Sequence, residues 1–158
     1  MKKYILGTLL VIASLGLSSI FFLNEGEGEG TQEGVDWKWL VPEGFSGCAV
    51  IRYNVEGAEP LTINENNEFV FEVPRDRVIE TSSPQDYGWV NEDHAGPFQI
   101  SAYYVDEDGK IIEEIPWEDI GPGSNGTFVD ADGTEYHHAT QYFNADRSPF
   151  TKCPKIAQ

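Results

Sequence analysis

The sequence predicts an all-β body, an antiparallel β-sandwich, following a single N-terminal membrane or signal helix. Three observations carry this. Past residue 23 no window longer than a turn or two shows helical periodicity. Short runs with apolar and polar residues alternating recur along the chain, at the spacing of about 8–12 residues typical of two-sheet β domains. Clusters of Gly, Pro, Asn and Asp separate those runs, and these are the residues that turns require.

Three segments follow from composition. Lys2 and Lys3 precede an uncharged stretch over residues 5–23. As a helix it would reach roughly 28 Å, about one bilayer core, with the lysines holding its start in the cytoplasm. Gly16 and Ser18 have the small-residue spacing a signal peptidase reads, but cutting there would leave Ile20, Phe21, Phe22 and Leu23 at a new terminus. An uncleaved anchor is therefore the favoured reading, with a secreted, cleaved chain as the alternative. Residues 24–34 alternate Glu and Gly and read as an extended, self-repelling linker. Residues 35–158 form the outer domain.

Charge limits the partners. Of 10 basic residues two lie in the N-terminal segment, so 8 remain against 27 acids, a balance of −19 from residue 24 onward. Phosphate backbones and anionic lipid surfaces both demand Lys and Arg, so nucleic acid is excluded as a partner. The membrane is expected to be met only through the N-terminal helix.

Within the outer domain, residues 35–40 carry Trp37 and Trp39 on one side of an extended segment, expected to cover the edge of the core. Residues 39–53 read as a turn, with Pro42, Gly44 and Gly47, feeding a first long strand over 48–55. Leu61 and Ile63 start a short strand. In 68–73, Phe69, Phe71 and Val73 face inward and Glu68 and Glu72 outward. Residues 78–81 are a short strand, 98–105 and 110–115 a hairpin about Asp106-Glu107-Asp108-Gly109, and 127–129 with 134–143 a second hairpin about Asp130-Ala131-Asp132-Gly133. Residues 116–126 read as irregular and 144–158 as a Pro-containing tail.

The long polar loop 82–97 contains Tyr87, Trp89 and His94. Long loops on rigid scaffolds are where binding concentrates, so these residues, with Trp117, form the candidate binding surface. The two D-x-D-G turns offer Asp106, Asp108, Asp130 and Asp132 as weak calcium candidates. Each turn lacks the additional oxygens calcium wants and is explained as a hairpin by its Asp and Gly alone. His137 and His138 are adjacent, so on a strand they face opposite ways and cannot share one ion. No catalytic motif is present, and no cofactor is expected. Two cysteines in an exported chain, Cys48 and Cys153, most simply form one disulfide; the rival is a metal-bound or nucleophilic cysteine.

The ordered motifs Leu40-Val41-Pro42-Glu43-Gly44-Phe45-Ser46-Gly47, Val50-Ile51-Arg52-Tyr53, Pro60-Leu61, Val73-Pro74, Glu80-Thr81-Ser82-Ser83 and Tyr103-Tyr104-Val105-Asp106 resemble a family of small uncharacterised domains in secreted or membrane-tethered bacterial proteins. The resemblance covers residues 39–114 and brings no catalytic residue with it. It implies an aromatic residue where Cys48 stands, which makes Cys48 a local addition paired with Cys153. A fainter likeness is to prealbumin-like sandwiches such as the regulatory domains attached to carboxypeptidases, within the broader immunoglobulin-like class. It rests on the Gly-led strand, Phe69-Val70-Phe71-Glu72-Val73 and Thr81-Ser82-Ser83-Pro84, and implies fold alone. The expectation is a membrane-tethered, extracytoplasmic domain that binds an unknown ligand or protein. The alternatives are an extracellular metal-assisted hydrolase, using His94 or His137 with carboxylates, and a structural component of the envelope.

Overall fold

The computed structural model describes residues 33–129, 131, 133–144 and 153–154. The N-terminal apolar stretch and nearly all of the linker lie outside the described residues. Among the described residues no helix is long and apolar enough to cross a membrane.

Among the described residues eight strands build two four-stranded sheets. They are β1 (Asp36–Pro42), β2 (Gly47–Arg52), β3 (Glu68–Glu72), β4 (Val78–Glu80), β5 (Ile100–Val105), β6 (Ile111–Glu114), β7 (Ile120–Val129) and β8 (Glu135–Phe143), with one 3₁₀ turn at Trp117–Asp119. The first sheet runs β3-β1-β5-β6 and the second β4-β2-β8-β7. The all-β class is as the sequence predicts.

The sheets are mixed, which corrects the expectation of antiparallel ones. β1 pairs parallel with both β3 and β5, and β2 pairs parallel with β4. The reason lies in the order of the strands. After β1 the chain crosses to the second sheet, then back for β3, then over again for β4. A strand that returns after a crossing enters from the same end as its neighbour, whereas a tight hairpin forces reversal. Only β5–β6, β7–β8 and β2–β8 are antiparallel.

Two further elements differ from the sequence reading. The first strand is β1, and it lies between β3 and β5 at the centre of its sheet. Trp39, expected at the edge of the core, is 0% exposed. Pro42 ends β1 opposite Val105, where its missing N–H interrupts nothing further along the ladder. The stretch expected to be irregular contains β7, which carries Gly121, Pro122 and Gly123 and a register shift between Ile120 and Gly123. β7 lies at the edge of its sheet, where Pro and a bulge within a strand are best tolerated. Of the short strand at Leu61 and Ile63, only Ile63 is bridged, to Phe69.

The main apolar cluster takes side chains from both sheets. Trp39, Val41, Phe69, Phe71 and Ala102 come from the first, and Ala49, Ile51, Ala139 and Phe143 from the second. Trp39 meets Phe71 at 4.8 Å and Phe143 at 5.5 Å between ring centroids. A second cluster joins Cys48, Val50 and Tyr142 to Cys153. Cys48 and Cys153 form the expected disulfide across 105 positions. Alternation sends Ala49 and Ile51 into the main core, so Cys48 and Val50 occupy the other face of β2. Cys153 packs against this second cluster, and Cys48 and Val50 are fully buried.

Candidate functional site

The loop of residues 82–97 brings two of the expected site residues together. Tyr87 packs over Phe69 at 5.7 Å, and Trp89 lines the same small cavity with Val35, Tyr53 and Phe98. Gly88 holds φ +84, and a Cβ there would come within 2.7 Å of the Phe69 ring. At Gly34 the Ala95 carbonyl would sit 2.2 Å from a Cβ, so only glycine lets the loop close this tightly over β1. The cavity left is about 20 Å³. That is room for about one water, far short of the roughly 300 Å³ at which ligand pockets begin. The aromatics here close one end of the core. Burial pushes the Tyr53 phenol at this cavity well above its usual range.

His94 is held locally. Its backbone N–H donates to Asn91 Oδ1 (3.2 Å), the Gly96 N–H donates to its Nδ1 (3.2 Å), and the Asn91 amide nitrogen lies 2.9 Å from its Nε2. His94 is not among the residues lining the cavity. Trp117, 70% exposed, is elsewhere again. Its turn leads into Ile120, which pairs with Phe143 opposite Gly47, at the end of the sheets where β1 finishes. At that end the Asn144 amide donates to the Tyr104 hydroxyl. Burial, then the carboxylates of Asp119 and Glu113, raise the Tyr104 phenol.

His137 and His138 do face opposite ways. His137 Nδ1 lies 3.1 Å from Thr127 Oγ1 and its Nε2 3.5 Å from Glu135. His138 sits with Phe128 and Arg52, and Arg52 in turn pairs with Glu80 (2.7 Å) and lies over the Tyr136 ring. Burial, and then neighbouring His137, lowers the His138 imidazole. Among the described residues no three of His, Cys, Asp and Glu gather to hold a metal ion. Asp130 and Asp132 lie outside the described residues. The Asp106 carboxylate is engaged by its own turn, accepting from the Asp108 N–H (3.0 Å) and the Lys110 N–H (2.9 Å).

Among the described residues there is a ligand-sized concavity that sequence reasoning missed. It lies where three parallel strands, β3, β1 and β5, all end. The ladder continues to its edge, since the Val73 N–H donates to the Leu40 carbonyl (2.9 Å) and the Glu43 N–H to the Val105 carbonyl (3.0 Å). Half-buried Leu40, Pro42 and Val105 form an apolar floor. Glu43, Glu72, Asp106, Glu107 and Asp108 stand around it, and Arg75 is the one basic residue lining it. Five acids less one base leave −4 on the lining side chains. None of the five carboxylates forms an ion pair among the described residues. The groove encloses about 810 Å³, within the range of small-molecule and peptide sites. The turns were visible in sequence as Pro42-Glu43-Gly44, Pro74-Arg75-Asp76-Arg77 and Asp106-Glu107-Asp108-Gly109. That all three fall at one end is a property of the parallel pairing.

No curated protein matches the sequence. A solved structure from Bacillus anthracis, provisionally described as a lipoprotein, is similar in fold, with a TM-score of 0.57 at 23% sequence identity. The match covers 80% of this chain and 85% of that one. A family model matches residues 33–149, the whole of the two-sheet body, and the chain belongs to that family, a family of unknown function (DUF6843).

Proposed function

We propose that the protein is a membrane-tethered, extracytoplasmic binding module, acting by binding and not by catalysis, that seats its ligand in the groove at the ends of β3, β1 and β5. The groove itself carries the reading: an apolar floor lined by carboxylates that form no ion pair among the described residues, and large enough for a ligand. In this reading the two sheets are the layers of a prealbumin-like sandwich, supported by the contact of Trp39 with Phe143. The extracytoplasmic setting is supported by the apolar run behind Lys2 and Lys3, the disulfide, and the fold shared with a protein described as a lipoprotein.

Site-specific photocrosslinking in the full chain, expressed in its exported form, tests this. Benzophenone side chains at positions 72 and 107 should give discrete adducts that are absent from probes at positions 65 and 86. Identical patterns from both pairs would remove the groove as the binding site. The intact mass of the exported chain tests the tether. Retention of residues 1–23 supports it, and a mature start near Ser19 makes the protein secreted.

A further inference from the structure

The groove's lining selects a class of ligand. We infer that it takes a short, extended peptide segment in which Lys or Arg flanks an apolar side chain; this rests on the binding reading above. The β3, β1 and β5 strand ends span two strand spacings, roughly 10 Å, which is the length of about three extended residues. Across that span the surface offers Leu40 and Pro42 of β1 in the middle, with Val105 of β5 beside Pro42, and carboxylates on both sides, Glu72 on the β3 side and Glu107 on the β5 side. A wholly polar cation would leave the floor unused, and an anion would meet a net charge of −4. An apolar side chain with a cation before and after it satisfies floor and rim together. The wall after β5 is already set. Asp106 Oδ1 accepts from two backbone N–H groups within its turn, and Gly109 holds φ +77, so that wall needs little ordering on binding.

A chain this acidic attracts cations everywhere, so the test compares variants of equal net charge. One carries Glu43→Gln, Glu72→Gln and Glu107→Gln in the groove. The other carries Glu65→Gln, Asp86→Asn and Glu92→Gln, which are exposed positions elsewhere. The probe is a fluorescent hexapeptide alternating lysine and leucine, titrated by anisotropy against the full chain in non-ionic detergent. The groove variant should bind about tenfold or more weakly, and the remote variant within about twofold of the unsubstituted protein. A lysine–serine hexapeptide should bind about tenfold more weakly than the lysine–leucine one. Equal weakening in both variants, or equal binding of the two peptides, overturns the inference. Crosslinks confined to positions 72 and 107 alongside such a result would keep the groove as the site and discard only the ligand class. Without those crosslinks the binding reading falls too.

Discussion

Breaking the Cys48–Cys153 link without altering its sulfurs is the sharpest test of what holds this domain together. Reduction keeps both side chains and their packing against Val50 and Tyr142, and removes only the covalent closure of a 105-position loop. Chain-entropy reasoning for a loop of that length gives about 4.8 kcal/mol at 25 °C. Small domains have a total stability of about 5–15 kcal/mol, so the link supplies a large share. For the 127 residues of Gln32–Gln158 (158 − 31), the same loss corresponds to a fall in Tm on the order of 15–20 °C. Guanidinium titrations of oxidised and reduced full chain, with thiol labelling to confirm each state, measure the difference. The slope m should rise on reduction, because the unlinked denatured chain exposes more surface. A difference below about 1.5 kcal/mol with m unchanged would refute the reasoning. The denatured ensemble would then already hold the tail close, and loop length would not be what the disulfide acts through.

Two further perturbations test the core. Phe143→Ala removes a fully buried ring that meets Trp39 at 5.5 Å and Phe45 at 6.2 Å, and should cost about 3–5 kcal/mol in chemical denaturation. A loss under about 1 kcal/mol would mean that the two sheets do not share this core in solution. The buried phenol of Tyr53 has a folded pKa raised by desolvation above its unfolded value near 10. The unfolded chain gives up that proton first, so this contribution is complete below about pH 10 and is lost as pH rises beyond it. Tyr53→Phe should therefore raise the midpoint of alkaline unfolding, followed by absorbance at 295 nm. An unchanged midpoint would show that the phenol is solvated.

Much of the local structure was legible because it depends on neighbours a few residues apart. Phe69 and Phe71 alternate with Val70 and Glu72, and the first pair is buried while the second is exposed. The hairpin at residues 106–109 follows from Asp106 bonding its own turn and from the φ +77 of Gly109. The two cysteines could be paired because the sequence holds no third to compete for either. What the residues could not show was which strands lie side by side. Trp37 and Trp39 read as edge cover because the signal of a central strand, apolar on its inner face and half-polar on its outer, is blurred by Lys38 and ends in Pro42. β7 was hidden by Gly and Pro, whose tolerance depends on its position at the sheet edge. The aromatic loop drew attention for the opposite reason. Tyr87 and Trp89 resemble a binding surface in sequence, and only the close approach of Gly34 and Gly88 shows them filling the end of the core.

The parallel pairing is also what creates the groove. In a meander each connection reverses the chain, so the turns after successive strands alternate between the two ends of the sheet. Glu43, Glu72 and the Asp106–Asp108 carboxylates would then be divided between those ends. Here the chain leaves the first sheet after β1 and again after β3, and on each return it runs in the same direction. Carboxylates from three strand ends consequently meet over one floor with Arg75 alone to offset them, and the repulsion among them is a standing cost that a cationic ligand relieves. A solvated acidic surface accounts for the charge of the chain as a whole. It does not account for carboxylates gathered, without an ion pair among the described residues, around half-buried Leu40 and Val105, where covering the apolar floor and neutralising the rim favour the same occupant.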